Sequence, residues 1–360
     1  MYVVIMAGGG GTRLRPVSTV ERPKPFIPLL PDGRTLLQRT VSRLDGLGLG
    51  TGALSVVASA AYAPLIGHQL PGVRIVAEPE GRNTAAAIAL ATLAIERDED
   101  DVMVVLPADH LIDTAREAVF RRVLAEAGSG LAAGSPFGIA DPLVTLGVQP
   151  TGPSTQYGYL VPRADAGEDV DGLHAYPLQE FREKPPLADA ERLWRSPGVA
   201  WNAGMFLWRR RAIRAALERY VPAVVEVIAG GLARGDLAGA YGSITARSID
   251  YEVMEPAARD RLVVMGAMDV GWSDIGSWPA LLEALGRPGI GGAVVEAGTT
   301  VATSASDLIV DRDAARLAVR PAPDGTINPE RPVALLRQAL GARRELQDLL
   351  DRCTAAEARA

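Results

Sequence analysis

MYVVIMAGGGGTRLRP, residues 1–16, decides how the rest of this 360-residue chain is read. A short apolar, β-branched run, residues 3–7, passes straight into four glycines, Gly8, Gly9, Gly10 and Gly11. A buried strand that delivers a glycine turn is the opening of an α/β unit, and such a turn can bring backbone N–H groups against an anion. Two familiar forms of the device are excluded. The Walker phosphate loop requires a lysine that is not there, and the dinucleotide fingerprint fails at its last glycine, where counting from Gly8 gives Arg13. What remains is a phosphate cradle of another kind. Thr12 adds a hydroxyl donor, and Arg13 adds a planar fork that is always charged. Lys24 follows between Pro23 and Pro25 and is expected on a stiff, extended stretch. Taken alone, the loop also fits a plain strand-to-helix turn carrying surface charges.

Working outward, strand and helix signals alternate. Residues 3–7, 54–59, 73–78 and 102–108 read as buried strands. Between them, residues 35–44 are amphipathic, residues 83–98 form an alanine-rich helix capped by Asn83, and residues 116–128 form a helix stopped by Gly128. This pattern predicts an open, mostly parallel sheet, which binds ligands at the carboxyl ends of its strands. The glycine loop, Glu78 and the LPADH stretch (residues 106–110) all fall at such ends. A long helix is expected over residues 212–228 with a kink at Pro222. Past residue 288 the texture changes. Short strand-like segments (AVVEAG, TTVATSA, DLIVD, RLAVRP) predict a small β unit, and leucines 335, 336, 340, 346, 349 and 350 predict an amphipathic docking helix. The expected domains are residues 1–288 and 289–360.

Bulk properties narrow the classes. Hydrophobic residues make up 48% of the chain, ample for a core, yet no apolar run reaches a membrane span, and no leader is expected before the glycine loop. A single cysteine, Cys353, excludes an intrachain disulfide and fits a reducing cytoplasm. A net charge of −6 argues against nucleic acid. Three histidines without metal-site spacing make zinc unexpected.

AGGGGTRLRP with RPKP resembles the signature of sugar-nucleotide pyrophosphorylases. EPEGRNTAAAIALA, LPADHLI, TLGVQPTGPSTQYGYL, FREKP, WNAGMFLW, SIDYEVME and GWSDIGSW then follow in order. The ordered set resembles the mannose-1-phosphate guanylyltransferases over about residues 1–285. That resemblance implies a Rossmann-like, GT-A-like nucleotidyltransferase domain, closed by a small left-handed β-helix that is shortened here. It implies GTP and mannose 1-phosphate as substrates, and a homodimer is expected.

The resemblance also implies roles. Asp109 and Asp274 would hold Mg²⁺, a hard cation suited to carboxylate oxygens. Either aspartate alone would be read as a cap or turn residue. Arg13 and Lys24 would hold the triphosphate. Ala7, Gly8, Gly9, Gly10, Gly11, Thr12, Glu78, Arg82, Asn83, Thr84 and Asp109 would line the nucleotide site. Gly158, Glu183, Lys184 and Asn202 would bind the sugar phosphate. Tyr157, Tyr159, Trp201 and Phe206 read as core or pocket wall, and His110 reads as structural. Three positions depart from the pattern: Arg15, Gln156 before Tyr-Gly-Tyr, and Ala203 beside Asn202. The last two lie near the sugar residues, so another hexose or a valienol-like cyclitol 1-phosphate stays open as acceptor. A non-catalytic sensor of the same fold would be expected to lose some of Arg13, Lys24, Asp109 and Asp274, and all are present. A nicotinamide oxidoreductase is disfavoured by the broken fingerprint.

Overall fold

The computed structural model describes residues 1–9, 14, 18, 20–29, 33–276 and 280, and the backbone of 308–311 and 316–319. The chain divides into two compact units. The first is Met1–Gly8, Leu44–Pro107 and Glu117–Val270, and the second is Gly9–Arg43, Ala108–Arg116 and Gly271–Ala360.

The first unit is built on a ten-stranded sheet. Its strands are β1 (Tyr2–Met6), β2 (Leu54–Ser59), β3 (Arg74–Glu78), β4 (Val102–Pro107), β5 (Leu143–Val148), β6 (Tyr159–Pro162), β7 (Glu168–Val170), β8 (Leu173–Arg182), β9 (Ala200–Arg209) and β10 (Val263–Met268). The order is β3-β2-β1-β4-β9-β5-β10-β8-β6, with β7 paired to β8. β1, β2, β3 and β4 pair in parallel, as do β5 and β10. β8 and β9 are antiparallel to every strand they pair with. Those two therefore run against all the others, in a mixed sheet whose strands mostly point one way. β1, β3 and β4 end at Met6, Glu78 and Pro107 on one edge, the carboxyl edge anticipated for ligands.

Strand burial follows position. β1 and β4 are central and apolar on both faces. β3 was expected to be buried as well, but it is an edge strand in which Arg74 and Ala77 are exposed. The helix Asn83–Ala94 is buried from Ala85 to Thr92, and its alanines let it lie close to its neighbours. Its surroundings in the core include Val57, Met103, Phe206 and Trp208, the last two stacked at 5.3 Å.

Three helix expectations change. The alanine helix ends at Ala94 rather than Asp98, and Arg82 holds the cap position, without a side-chain cap bond. Gly128 does not stop its helix. Glu117–Glu126 continues into a wider turn, Ala127–Ala132, and a Cβ on Gly128 would lie 3.3 Å from the Met1 sulfur. The glycine serves close packing there. The long helix is two, Arg210–Tyr220 and Pro222–Arg234, because Val221 leaves helical geometry (φ −134°, ψ 49°) and Pro222 opens the second.

In the second unit the helix Leu36–Ser42 starts on a reciprocal capping box between Thr35 and Gln38. Residues Lys24–Phe26 form a buried 3₁₀ turn rather than the extended stretch expected for Lys24. A hairpin joins β11 (Leu308–Asp311) to β12 (Arg316–Val319). These are two of the four strand segments expected after residue 288. The other two, the proposed boundary at 288 and the leucine-rich tail lie outside the described residues. No helix among the described residues is long and apolar enough to cross a membrane.

Candidate active site

In the second unit one buried lysine gathers the anticipated aspartates. Residues 108–116 and 271–276 meet through an antiparallel bridge, Leu111 with Ser273, closed by hydrogen bonds of 2.8 and 3.0 Å. Asp109 lies two residues before that bridge and Asp274 one residue after it. The 3₁₀ turn buries Lys24 to 4% exposure, where Nζ donates to Asp109 Oδ2 at 2.9 Å and also to the Asp274 carbonyl. Burial, the largest single influence, pushes the Asp109 carboxyl up, but the charge and hydrogen bond of Lys24, the neighbouring His110 and a backbone hydrogen bond together hold it below the usual carboxylate range. Asp109 is therefore ionised at neutral pH. Asp274 Oδ1 accepts from the Gly276 amide, and Ile275 between them has φ 42°. A β-branched residue in the left-handed region is strained, and such strain gathers at functional sites.

His110 is part of the frame. Its Nδ1 accepts from Trp272 Nε1 at 3.1 Å, which puts its proton on Nε2, 3.9 Å from Asp109. Burial lowers its pKa, and Asp109 offsets only part of that. The Arg43 guanidinium donates to the His110 carbonyl, and the Thr40 hydroxyl to the Ala108 carbonyl. Gly10, Gly11, Thr12, Arg13 and Arg15 lie outside the described residues.

At the carboxyl edge of the first unit, Ala7 donates to the Val57 carbonyl at 2.8 Å. A Cβ on Gly8 would make only ordinary contact with Glu78, 3.5 Å away, and around Gly9 no described atom lies within 4 Å. Neither glycine has a positive φ. Glu78 is buried and accepts from Tyr241 Oη at 2.7 Å; burial raises its pKa, against the pull of that bond and of the Arg82 amide. The Arg82 guanidinium bonds Glu80 and the Gly242 carbonyl. Asn83 has φ 67°, and its Oδ1 accepts from the Thr84 amide. Thr84 Oγ1 accepts from the Ile249 amide at 2.8 Å, which ties this helix start to the segment ahead of Asp250.

The four anticipated sugar residues come together, also in the first unit. Gly158 has no room for a side chain, since a Cβ would fall 2.5 Å from Glu183 Oε2. Its carbonyl accepts from the Asn202 amide at 2.8 Å, while the Lys184 amide donates to the Tyr157 carbonyl at 3.2 Å. Lys184 Nζ lies 2.7 Å from Glu183 Oε1. Burial, the largest single influence, lowers the Lys184 pKa, but the hydrogen bond and charge of Glu183, with Asp250 and Tyr251, bring the net shift above the usual lysine value. Lys184 has φ 44°, a third strained position at a candidate residue or beside one. Tyr159, Trp201 and Phe206 are buried, as expected of core or wall residues. Gln156 is exposed, and its backbone N–H donates to Ser154 Oγ. Ala203 is fully buried.

Sequence reasoning missed four partners. Asp250 accepts from Asn202 Nδ2 at 2.9 Å, Glu255 Oε1 accepts from the Glu183 amide at 2.8 Å, and Thr145 Oγ1 donates to Asn202 Oδ1 at 2.8 Å. The fourth is Tyr241, on Glu78. Asp250 and Glu255 sit in SIDYEVME, a stretch singled out by its resemblance. Three acidic residues, Asp250, Glu252 and Glu255, spaced among Tyr251, Val253 and Met254 were the available signal. Thr145 and Tyr241 carry none. The segment Asp250–Met254 is a wide π turn, a form often found at functional sites.

The nucleotidyl transferase family model matches residues 2–287. A mannose-1-phosphate guanylyltransferase of Escherichia coli is 37% identical over 299 residues, covering 79% of this chain and 59% of the relative. One from Salmonella typhimurium is 38% identical over 300 residues, with the same shares. The chain thus spans about three-fifths of the length of these curated relatives. A crystal structure described as a mannose-1-phosphate geranyltransferase from Thermus thermophilus superposes with a TM-score of 0.67 at 32% identity, covering 79% of each chain. The chain belongs to the nucleotidyl transferase family, and its resemblance to the mannose-1-phosphate guanylyltransferases extends over about four-fifths of its length.

Proposed function

We propose that this chain is a guanylyltransferase that joins GMP from GTP to a sugar 1-phosphate, most directly mannose 1-phosphate, forming GDP-mannose and pyrophosphate. The observation that carries the reading is the second cluster. Gly158, the adjacent pair Glu183 and Lys184, and Asn202 come from three separate segments and share one bonded group. A carboxylate suits ring hydroxyls, and an ammonium suits a phosphate. Lys24 and Asp109 supply the charged pair that phosphoryl transfer needs.

In the proposed reaction a phosphate oxygen of the acceptor bonds to the α-phosphorus of GTP. The bond from that phosphorus to the bridging oxygen breaks, and pyrophosphate leaves with the electron pair. The acceptor phosphate is already ionised near neutral pH, so no general base is needed. The residues present fit a divalent cation. Asp109 is ionised, and Asp274 follows Ser273, the bridge partner of Leu111, so two hard oxygen donors come from facing segments of the second unit. Mg²⁺ held by Asp109 and Asp274 would neutralise phosphate charge, leaving other positions for water and phosphate. Lys24 would hold Asp109 in place and add positive charge beside it. Glu78, Arg82, Asn83 and Thr84 are proposed for the base and ribose side. The cytoplasm is the proposed location, on the single cysteine, and the leucine-rich tail motivates a homodimer.

The test is pyrophosphate release with GTP and Mg²⁺ across mannose, glucose, fucose and cyclitol 1-phosphates. Highest kcat/KM with mannose 1-phosphate supports the proposal. Turnover of another ring phosphate instead would keep the reaction and change the acceptor. No release with any of them would leave a sensor.

A further inference from the structure

Asn202 has only one way to sit. Its Oδ1 accepts from Thr145 Oγ1 at 2.8 Å and from the Gly204 amide at 3.1 Å, while its Nδ2 donates to Asp250 Oδ1 at 2.9 Å. The Gly204 N–H can only donate. Flipping the amide would set that N–H against NH₂ and the amide oxygen against a carboxylate. Among the described residues, both oxygen lone pairs are thus used, and one of two nitrogen hydrogens is used. Thr145 is fully buried and Asn202 is 8% exposed, so the arrangement is not a surface accident.

We propose that Asp250 is a positioning residue for the acceptor: with Thr145 it locks Asn202 so that the amide offers a single N–H donor, which selects a ring presenting a hydroxyl oxygen there. The inference rests on the guanylyl-transfer reading and deepens its acceptor side. Asp250 is poorly explained as a stabilising residue. It faces Glu183 and Lys184, with Tyr251 and Glu252 on its own turn and Glu255 at the start of the following helix, and burial together with the Glu183 charge pushes its carboxyl up to about 7. Two neighbouring carboxylates oppose folding, and such costs are kept where they serve a site. Pairing with Asp250 also spends the hydrogen that would otherwise let Asn202 meet either of two ring positions.

The experiment measures pyrophosphate release from GTP with mannose 1-phosphate and its deoxy analogues, for wild type, Asp250→Ala, Asp250→Asn and Thr145→Val. Asp250→Ala is expected to raise the acceptor KM about tenfold, the scale of one lost hydrogen bond. The GTP KM should stay within about twofold, and one deoxy analogue should lose most of its disadvantage. Asp250→Asn keeps an oxygen for Asn202 to donate to, so it should bring the acceptor KM back to within about threefold of wild type. Thr145→Val should behave like Asp250→Ala. An unchanged acceptor KM in Asp250→Ala, or both KM values and kcat shifting together in both Asp250 variants, overturns the inference while the reaction stands. A wild type inactive with every acceptor overturns the guanylyl-transfer reading itself, and this inference with it.

Discussion

Replacing Gly158 by alanine adds one methyl group at the tightest point of the proposed acceptor cluster. The new carbon would stand 2.5 Å from Glu183 Oε2 and 3.3 Å from both Asn202 Cβ and Phe181 Cε1. Ordinary contact begins near 3.4 Å, so the carboxylate must retreat by about 0.9 Å. Glu183 has little room to do so. Its side chain is 6% exposed and lies against Lys184 Nζ at 2.7 Å, and its own amide is held by Glu255. Overpacking of this kind costs about 1–3 kcal/mol. The displaced carboxylate should cost more in function, because an ångström of misplacement is worth on the order of a hundredfold. Steady-state pyrophosphate release should show kcat/KM for mannose 1-phosphate falling by that order while the GTP KM holds. A folded Gly158→Ala enzyme within threefold of wild type would refute the assignment of Glu183 to the acceptor.

Asp109→Asn should lower turnover on the order of a hundredfold at saturating Mg²⁺, as expected for losing one electrostatic stabiliser, and near-normal turnover would sink its proposed metal role. Tyr241→Phe removes a 2.7 Å bond from buried Glu78 and should cost about 1–3 kcal/mol, read from the urea midpoint; an unmoved midpoint would contradict this. The fourth prediction is a pH effect. Asp250 is raised from 3.8 to about 7, so between those values the native state holds a proton that the unfolded chain has released. That favours folding at low pH, and the advantage is lost as pH rises through 7. Wild-type stability relative to Asp250→Asn should therefore fall across this window by at most about 4 kcal/mol, and parallel unfolding curves at pH 5 and pH 8 would contradict it.

The strand ends were legible because apolar runs stop abruptly at glycines and acids. β1 into Gly8, β3 into Glu78 and β4 into LPADH all read correctly. The cluster proposed for the sugar was legible only through resemblance, since REKP and WNAGMF are unremarkable as a turn and an apolar run. Composition does not report which strand lies at an edge. β3 carries the same Ile-Val-Ala texture as its neighbours, yet it has only β2 beside it. Local rules also misplaced Lys24. Proline on both sides argued for extension, whereas the 3₁₀ turn that buries the lysine brings its Nζ to Asp109 and the Asp274 carbonyl. Gly128 failed as a stop signal because its missing side chain is used for packing against Met1 and Val102. Asp250 stayed hidden because its meaning depends on Asn202, 48 residues away in sequence.

The central claim is that the α-phosphate of GTP moves to a sugar 1-phosphate on this chain. It is tested most directly by incubating the enzyme with GTP labelled at the α-phosphate, Mg²⁺ and mannose 1-phosphate, then separating the products. The account predicts that label accumulates in GDP-mannose in step with released pyrophosphate, and that Asp109→Asn nearly abolishes both. Label that remains in GTP, or that appears only as GMP or GDP while the sugar phosphate is untouched, would contradict it.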